Sequence, residues 1–526
     1  MTIMQSVRRG GGALVAALLW APAACAQGNG VEAVESTAMT TDQAAATITP
    51  EDMHARIATI AADSMGGRDT PSAGLEATAA WIAGQYAGFG LEPGGEDGSF
   101  FQRYPYPLRA LDTTGVHFGT VVSGENVMLV YGEDFYVSAA APFADRAMGH
   151  GSLVWVGRQA DGSWSAPESV RGQVMVVSLP GSYDRDWRIA SGRARTTAQK
   201  AGARALMVVL GSDFPDLAFT RLSELARSPS RGLVEPGEIP VFYVRPAAAA
   251  AVFARGGVDA SALPAEPGAT VVVPGADAHF SADAVIVEDA TAPNVVAILH
   301  GSDHELADTY VVFSAHMDHL GIGTANAAGD SIYNGADDDA SGTAALVEMA
   351  QAFAGLDRAP RRSLVFLNVS GEEKGLLGSR WFTGHPTVPI EQIVANVNMD
   401  MIGRNAPDSI VVIGQEYSSL GPLVQQVATD HPDLGLTVSV DIWPEERFFF
   451  RSDHFNFARL EIPALFFFAG VHEDYHQPSD QVEKLDADKA ARVARLAFWT
   501  AHAIADSPEA PAWTPQGLEE VRALTR

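Results

Sequence analysis

The chain has 526 residues, a hydrophobic content of 47% and a formal charge of −29. This length exceeds what one hydrophobic core supports, so we expect two or three folded domains. The strong acidity argues against nucleic-acid binding and against binding to anionic membrane surfaces, because both need basic patches.

The first 26 residues have the features of an export signal. Arg8 and Arg9 precede the apolar stretch Ala13–Trp20, and small residues follow up to Ala26. We expect cleavage after Ala26, and hence a periplasmic or secreted protein. The apolar stretch is well short of the roughly twenty residues that span a bilayer, so we expect no transmembrane segment. An alternative is lipid attachment at Cys25. Because Cys25 is the only cysteine, an intrachain disulfide is excluded.

The next part of the chain changes texture twice. Residues 27–47 are small and polar and predict a linker, and 48–130 begin a main domain with two helices around a glycine-rich turn at Met65–Arg68. From 131 to 280, short β-type runs between Gly and Pro turns predict an inserted β-rich domain with one helix, Arg193–Ala203. The alternative is that these strands join one long sheet with the rest of the chain.

Strand and helix patterns alternate through residues 281–506, and a C-terminal tail follows at 507–526. This alternation predicts an α/β fold with a mixed, largely parallel sheet covered by helices on both faces. In such sheets, ligands bind outside the carboxyl ends of the strands. The predicted strands are 294–299, 309–315, 363–370, 393–399, 409–414 and 463–470, and the predicted helices are 342–354, 377–382, 420–429 and 486–505.

Three consecutive aspartates, Asp337–Asp339, stand just before the helix predicted from Gly342. Adjacent carboxylates repel one another and cannot all be buried as ions unless a cation neutralises them. About twenty residues earlier, the apolar strand Tyr310–Ala315 stops at His316 and Asp318. Imidazole and carboxylate together are a zinc ligand set, and bridging carboxylates suit paired metal ions.

Candidate ligands follow four of the predicted strands. A solvated turn, a helix cap or a surface histidine would explain each candidate taken alone. Their coincidence at four strand ends predicts one shared metal site. The pairs are Tyr310–Ala315 with His316, Ser363–Val369 with Glu372 and Glu373, Ile393–Met399 with Asp400, and Pro463–Phe468 with Tyr475 and His476.

Six motifs carry a family resemblance: HMDH, GADDDASG, SGEEKGLLGS, NMDMIG, RSDH and DYHQPSD, in that order. This order resembles the co-catalytic di-zinc exopeptidases that include the bacterial leucyl aminopeptidases, aminopeptidase S and glutamate carboxypeptidase II. The resemblance covers roughly residues 48–125 and 284–505. The β-rich segment between them resembles the protease-associated domain that several members carry as an insertion.

The resemblance implies a pair of zinc ions and a ligand for each coordination role. His316 and Asp400 would hold one zinc ion, and Glu373 and His476 would hold the other. The middle aspartate of the run, Asp338, would bridge the two ions. Manganese or cobalt could take the place of zinc at such ligands.

The resemblance also implies the residues that support the metals and the chemistry. Asp318 would orient the first histidine ligand, and Asp480 would support the second. Glu372 would be the general base, taking a proton from a metal-activated water and passing it to the leaving amine. Tyr475 would stabilise the oxyanion.

Together these roles predict an exported, zinc-dependent metallo-aminopeptidase that acts on peptides. A carboxypeptidase of the glutamate carboxypeptidase type is an alternative, because such enzymes share the five ligands. It would need cationic side chains for a free carboxylate, and Arg404, Arg447 and Arg451 are the candidates. A glutaminyl cyclase-like acyltransferase, which uses a related fold with one zinc ion, and a receptor that has lost the site are further alternatives.

Overall fold

The computed structural model describes residues 38–122, 125–137, 148–234, 238–255, 258 and 267–525. The predicted signal segment and most of the predicted linker lie outside the described residues. The described chain contains a main sheet of nine strands, an accessory sheet of eight, and two smaller sheets of three and two strands. Within these ranges, no helix combines the length and the apolarity needed to cross a bilayer.

The main sheet is parallel at its centre. Four neighbouring strands run in one direction: Ser363–Val369, Tyr310–His316, Ile393–Met399 and Ala464–Phe468. Antiparallel strands flank them, with Thr291–Leu299 on one side and Ser409–Ile413 on the other. The predicted mixed, largely parallel sheet is therefore confirmed. The remaining strands of this sheet are Glu92–Pro93, Phe101–Pro105 and Thr437–Ser439.

Side chains of the central strands alternate between two apolar cores, as the period of two in a strand requires. Val311 and Phe313 belong to a core shared with several long helices, whereas Val312 belongs to a core that includes Phe382 and Phe457 of two short helices. Helices thus cover both faces, as predicted. The helices of this part are Thr41–Ala46, Pro50–Ile60, Ala73–Gly88, Ala340–Ala354, Leu377–Gly384, Leu420–Asp430, His454–Ala458, Ala487–Asp506 and Pro515–Thr525.

The accessory sheet is built from the middle of the chain. Its strands do not pair with the main sheet in the described residues, so the alternative of one long sheet is not what the structure contains. Two of its strands precede residue 131, where the sequence analysis begins the insert. In sheet order, the strands are Glu125–Leu129, His117–Val122, Thr270–Ser281, Met148–Val156, Val174–Leu179, Ala205–Leu210, Val241–Val244 and Phe135–Val137.

Among the described residues, three helices accompany the accessory sheet, whereas the sequence pattern predicts one. The predicted helix begins earlier, at Arg185, where Asp184 caps it by accepting from the Trp187 amide. The two missed helices are Asp216–Leu225 and Pro246–Arg255. Pro246 at the first helical position is the signal that could have revealed the second of them. The smaller sheets are Ser230–Arg231, Leu108–Leu111 and Ala284–Glu288, and Gly321–Ile322 with Ile332–Tyr333.

Phe353 tests how much the main core depends on one aromatic cluster. Its ring is 1% exposed and lies 4.4 Å from Phe498 and 5.9 Å from Phe313, measured between ring centroids. We expect Phe353→Ala to lower the free energy of unfolding by about 3–5 kcal/mol, because it leaves a cavity that the sheet cannot close. Urea denaturation measures this loss, and Ile322→Ala, at a residue that is 69% exposed, is the control. A loss no larger than that of the control would contradict the packing.

Candidate metal centre

The candidate ligands converge at the carboxyl ends of the four parallel strands. His316 is the last residue of its strand, Asp400 directly follows Met399, and Glu373 lies four residues beyond Val369. Asp338 lies just before the helix Ala340–Ala354, and His476 lies in the loop that follows Phe468. All five predicted metal ligands are therefore near one another, at the edge where parallel sheets bind ligands.

The five side chains form two groups that share Asp338. On one side, His316 Nε2 lies 3.2 Å from Asp338 Oδ1 and 3.6 Å from Asp400 Oδ1. On the other side, His476 Nε2 lies 3.2 Å from Asp338 Oδ2 and 3.1 Å from Glu373 Oε2. Each oxygen of the Asp338 carboxylate thus faces a different group, which is the arrangement of a bridging ligand.

The three consecutive aspartates have different partners. Asp339 caps the following helix, accepting from the Gly342 amide, and it also accepts from the amides of His316 and Met401. Asp337 accepts from the amide of Gly403 at 2.7 Å. Both outer carboxylates therefore accept from backbone amides, Asp339 through both oxygens and Asp337 through Oδ1. Only the middle aspartate presents both of its carboxylate oxygens to the candidate ligand groups.

The donor atoms are buried and lack ordinary partners, which is the test of whether these residues fit a metal ion. Within the described residues, His316 Nε2, Asp338 Oδ2, Glu373 Oε1 and Asp400 Oδ1 are buried without a hydrogen bond of acceptable geometry. Buried polar atoms are normally paired, so several unpaired donor atoms that face one another fit a cation bound between them. Imidazole nitrogen and carboxylate oxygen are donors that zinc accepts.

A sixth candidate ligand, His319, was not predicted from the sequence. Its side chain is fully buried, and its Nδ1 lies 2.8 Å from Glu373 Oε1 and 3.8 Å from Asp338 Oδ2. His319, Asp338 and Glu373 form one compact group of metal donors, and His316, Asp338 and Asp400 form another. The HMDH motif contains both histidines, so the second was visible in the sequence.

Asp318 supports the backbone around the site. Its Oδ1 accepts from the Glu372 amide at 3.2 Å, and its Oδ2 accepts from the Thr70 hydroxyl at 3.0 Å. The distance from Asp318 Oδ1 to His316 Nδ1 is 3.7 Å, whereas the carbonyl oxygen of Asp318 lies 3.2 Å from the same nitrogen. The carboxylate therefore joins the loop after one strand to the loop after its neighbour.

Asp480 is placed against the aspartate run. Its carboxylate accepts from the amides of Asp337 and Asp338 at 3.0–3.2 Å. Burial, together with the neighbouring charges of Asp337 and Asp338, raises the pKa of Asp480 to about 6, and the hydrogen bond from the Asp338 amide opposes this rise. The observed contacts thus fix Asp338 through its own peptide group.

One supporting residue comes from a segment that carried no catalytic signal in the sequence. Arg68 is fully buried and donates to the carbonyl oxygens of Met317, Asn334 and Gly335, and burial lowers its pKa to about 10. It therefore ties the first helical segment to the loops on either side of the ligands.

Hydrogen bonds also reach Asp400 from inside the sheet. Ser452 donates to Asp400 Oδ2 at 2.8 Å, and the Asn398 amide donates to Ser452 at 2.8 Å. Such second partners orient a ligating carboxylate. The RSDH motif that contains Ser452 thus contributes to the site through Asp400.

Glu372 and Tyr475 line a pocket beside the two groups. The other lining residues are His316, Asp338, Asp400, Met401, Phe448, Arg451, Phe466, Phe468 and Val471. Burial raises the pKa of Glu372 well above its usual range, and the charges of Asp453 and Glu373 add to the rise while His316 opposes it. Burial likewise raises the pKa of Tyr475, whose ring stacks on His476 with centroids 3.8 Å apart. The lining of the pocket therefore combines the candidate ligands with several aromatic side chains.

Residues 294–501 match the model of peptidase family M28. This segment, which carries all six motifs and the candidate ligands, is thus similar to that family, and the resemblance predicted from the motifs is confirmed for it. The match covers the second part of the main domain and leaves the accessory sheet outside.

Individual relatives agree with this assignment. A protein of Pyricularia oryzae named "Probable zinc metalloprotease" is 29% identical over 260 residues, which are 41% of this chain and 50% of that protein. A "Probable leucine aminopeptidase" of Trichophyton verrucosum is 27% identical over 241 residues, 42% of this chain and 60% of that protein. The chain thus spans about half the length of the curated relatives it matches.

One solved structure similar to this chain is an aminopeptidase from Aneurinibacillus sp. strain AM-1. The alignment has a TM-score of 0.46 and 18% identity, and it covers 90% of this chain and 98% of that one.

Two raised pKa values make the stability of the ion-free protein depend on pH. Burial raises the pKa of Asp453 from 3.8 to about 7. Burial lowers the pKa of His476, but the carboxylates of Asp338 and Glu373 outweigh this effect and raise it from 6.5 to about 9. Both pKa values are higher in the folded state than in the unfolded state. The corresponding stability is therefore present at low pH and is lost as pH rises through these folded-state values.

We accordingly expect the melting temperature of chelated protein to fall from pH 6 to pH 9. Asp453→Asn should remove the contribution of that carboxyl group, which is lost by about pH 7, and should leave the contribution of His476 at higher pH. Saturating zinc should flatten the dependence, because the cation favours ionised carboxylates and neutral imidazole. Thermal melts with and without chelator measure these effects. A melting temperature that rises with pH in the chelated protein would contradict the assignment.

Proposed function

We propose that this chain is an exported zinc-dependent exopeptidase that removes residues from the amino end of peptides. The observation that carries the proposal is the pair of donor groups that share Asp338 beside a pocket containing Glu372. A closed structural zinc site would need only four ligands and no pocket.

We assign the ligands of two zinc ions as the resemblance implies. His316 and Asp400 would hold one ion, Glu373 and His476 would hold the other, and Asp338 would be shared by both. The separate orientation of the two Asp338 oxygens supports this division. When bound, such ions polarise the scissile carbonyl and lower the pKa of a water molecule towards about 7.

Glu372 is the proposed general base. Its amide is held by Asp318, and its side chain lines the pocket. A carboxylate whose pKa is raised by burial accepts a proton readily at neutral pH and can release it to the leaving amine. Tyr475 lines the same pocket, and its hydroxyl stays protonated because burial raises its pKa, so it can donate a hydrogen bond to an oxyanion.

The charge around the pocket favours a free amine over a free carboxylate. Of the three arginines that could hold a carboxylate, Arg404 donates to Asp474 at 2.9 Å and Arg447 lies over the Phe450 ring. Only Arg451 lines the pocket, and it also lies over Phe448, 4.7 Å from the ring centroid. The many carboxylates near the ligands can hold an ammonium group, whereas a carboxylate is usually bound by an arginine fork.

Arg451 is the observation that favours a second candidate, a carboxypeptidase. A single guanidinium at the pocket could receive the terminal carboxylate of a short peptide. The two functions share all metal ligands, so only the substrate distinguishes them.

Export and the role of the accessory sheet complete the proposal. The signal-like composition of residues 1–26 supports a periplasmic or secreted protein, with lipid attachment at Cys25 as the alternative. We propose that the segment predicted at 131–280 is a protease-associated domain inserted between residues 48–130 and 281–506 of the peptidase domain. No group of metal donors was found among the described residues of this segment, which supports an accessory role.

Chromogenic substrates test the proposed function. We expect unblocked leucyl and phenylalanyl anilides to be cleaved and their N-acetyl forms to be nearly inert, because acetylation removes the charge of the amine. Chelation should abolish cleavage, and added zinc should restore it together with close to two equivalents of bound metal. Release of glutamate from an N-acylated dipeptide, without cleavage of the anilides, would support the carboxypeptidase instead. A reproducible single equivalent of metal would favour a cyclase-like site.

Two adjacent glutamates should differ sharply when changed to glutamine. Glu372→Gln should retain both metal ions and lower kcat by about 10²–10⁴-fold, because the amide cannot accept a proton. Glu373→Gln should instead lose one of the two ions on dialysis. Metal analysis beside steady-state kinetics separates the two effects, and Glu391→Gln, at an exposed position, is the control. The opposite pattern would show that the base and the ligand are reversed.

A further inference from the structure

His319 lies beside the candidate metal donors, but its ring has no hydrogen-bond partner in the described part of the chain that explains its position. It is three residues beyond His316, its side chain is fully buried, and neither ring nitrogen has a hydrogen bond of acceptable geometry within the described residues. A neutral imidazole carries one donor and one acceptor, and burying both unpaired is costly. The orphaned nitrogens therefore require an explanation.

The position of the ring is built into the backbone. A Cβ atom at Gly335 would lie 2.5 Å from His319 Cγ, so only glycine leaves room for the imidazole, and the φ of +56° at Gly335 also suits glycine. The His319 amide donates to the carbonyl oxygen of Arg68, and Arg68 donates in turn to the carbonyl oxygen of Gly335. Two other parts of the chain, at Arg68 and at Gly335, thus hold the imidazole where it is.

The distances fit a common metal ion. Two atoms bound to one zinc ion at about 2.0–2.1 Å, and separated by about 90–130°, lie about 2.8–3.8 Å apart. His319 Nδ1 lies 2.8 Å from Glu373 Oε1 and 3.8 Å from Asp338 Oδ2. His476 Nε2 lies 3.1 Å from Glu373 Oε2 and 3.2 Å from Asp338 Oδ2. All four distances lie within the range expected for ligands of one ion.

We propose that His319 is a fourth protein ligand at the position held by Asp338, Glu373 and His476. This inference rests on the proposed two-metal centre and adds that its two metal positions differ in their number of protein ligands. One position then has four protein ligands and is closed, whereas the position of His316, Asp338 and Asp400 has three and keeps a coordination site open. Closed four-ligand positions are typical of structural zinc and open ones of catalytic zinc. The closed position fills first and holds its ion more tightly.

Zinc binding by the full-length protein tests the assignment without reference to turnover. The experiment titrates metal-free protein with zinc against a competing chelator. It compares wild type with His319→Ala, His319→Asn and the control His502→Ala. Wild type and control should show two separated binding events. Both His319 variants should weaken the tighter event by more than about 100-fold, which exceeds the usual effect of losing an outer partner of a ligand. The weaker event should change much less.

His319→Asn separates ligation from hydrogen bonding. The asparagine amide occupies roughly the place of Nδ1 and can donate to Glu373, but it is a poor zinc ligand. Tight binding that survives in His319→Asn and is lost in His319→Ala would make His319 a positioning residue and overturn the proposal. Melting curves of the chelated variants identify any that fail to fold.

X-ray absorption of wild-type protein with one equivalent of zinc needs no variant. The closed position predicts two imidazole ligands on that ion, His319 and His476, whereas a position without His319 supplies only one. One imidazole per zinc would therefore overturn the inference even if two equivalents bind. Saturation at a single equivalent would instead refute the two-metal centre, and the imidazole count of that ion would still decide the role of His319.

Discussion

The structure depends on holding many carboxylates together out of water. Asp338, Glu373 and Asp400 face one another across the ends of parallel strands, and Asp337, Asp339 and Asp480 lie directly beside them. Burial and mutual repulsion both oppose ionisation of such a group, and bound cations relieve both. Because so many carboxylates are buried in one place, the surrounding elements must direct each of them to a separate partner.

Backbone amides do most of that positioning. Asp339, Asp480 and one oxygen of Asp337 accept from backbone amides, whereas Asp338 is directed at the candidate ligand groups. The backbone is itself constrained here, since Met401 and His476 both adopt positive φ values, 57° and 58°, which residues other than glycine seldom adopt. Strained conformations of this kind persist where the surrounding structure fixes them, and they cluster at functional sites.

The strands, their direction and the ligand-bearing loops could be predicted because each depends on local pattern. An apolar run that ends in a histidine or a carboxylate predicts both a buried strand and the strand end at which the site lies. The position of His319 could not be derived in this way, because its neighbour Glu373 lies 54 residues further along the chain and the space for its ring depends on Gly335. Arg68 could not be predicted for the same reason, because it supports the site by donating to three carbonyl oxygens of a segment far along the chain.

Arg68 and Thr70 precede the accessory sheet in the chain, but they form hydrogen bonds with residues of the site that follow it. Residues before and after the accessory sheet must meet precisely enough to build one metal centre. They do so because the chain leaves and returns through paired antiparallel strands. Phe101–Pro105 pairs with Thr291–Leu299 in the main sheet, and Leu108–Leu111 pairs with Ala284–Glu288 just beyond it along the chain. With the two ends of the insertion held side by side by these ladders, the length and content of the intervening segment need not disturb the ligands, since closing a loop between adjacent ends costs little.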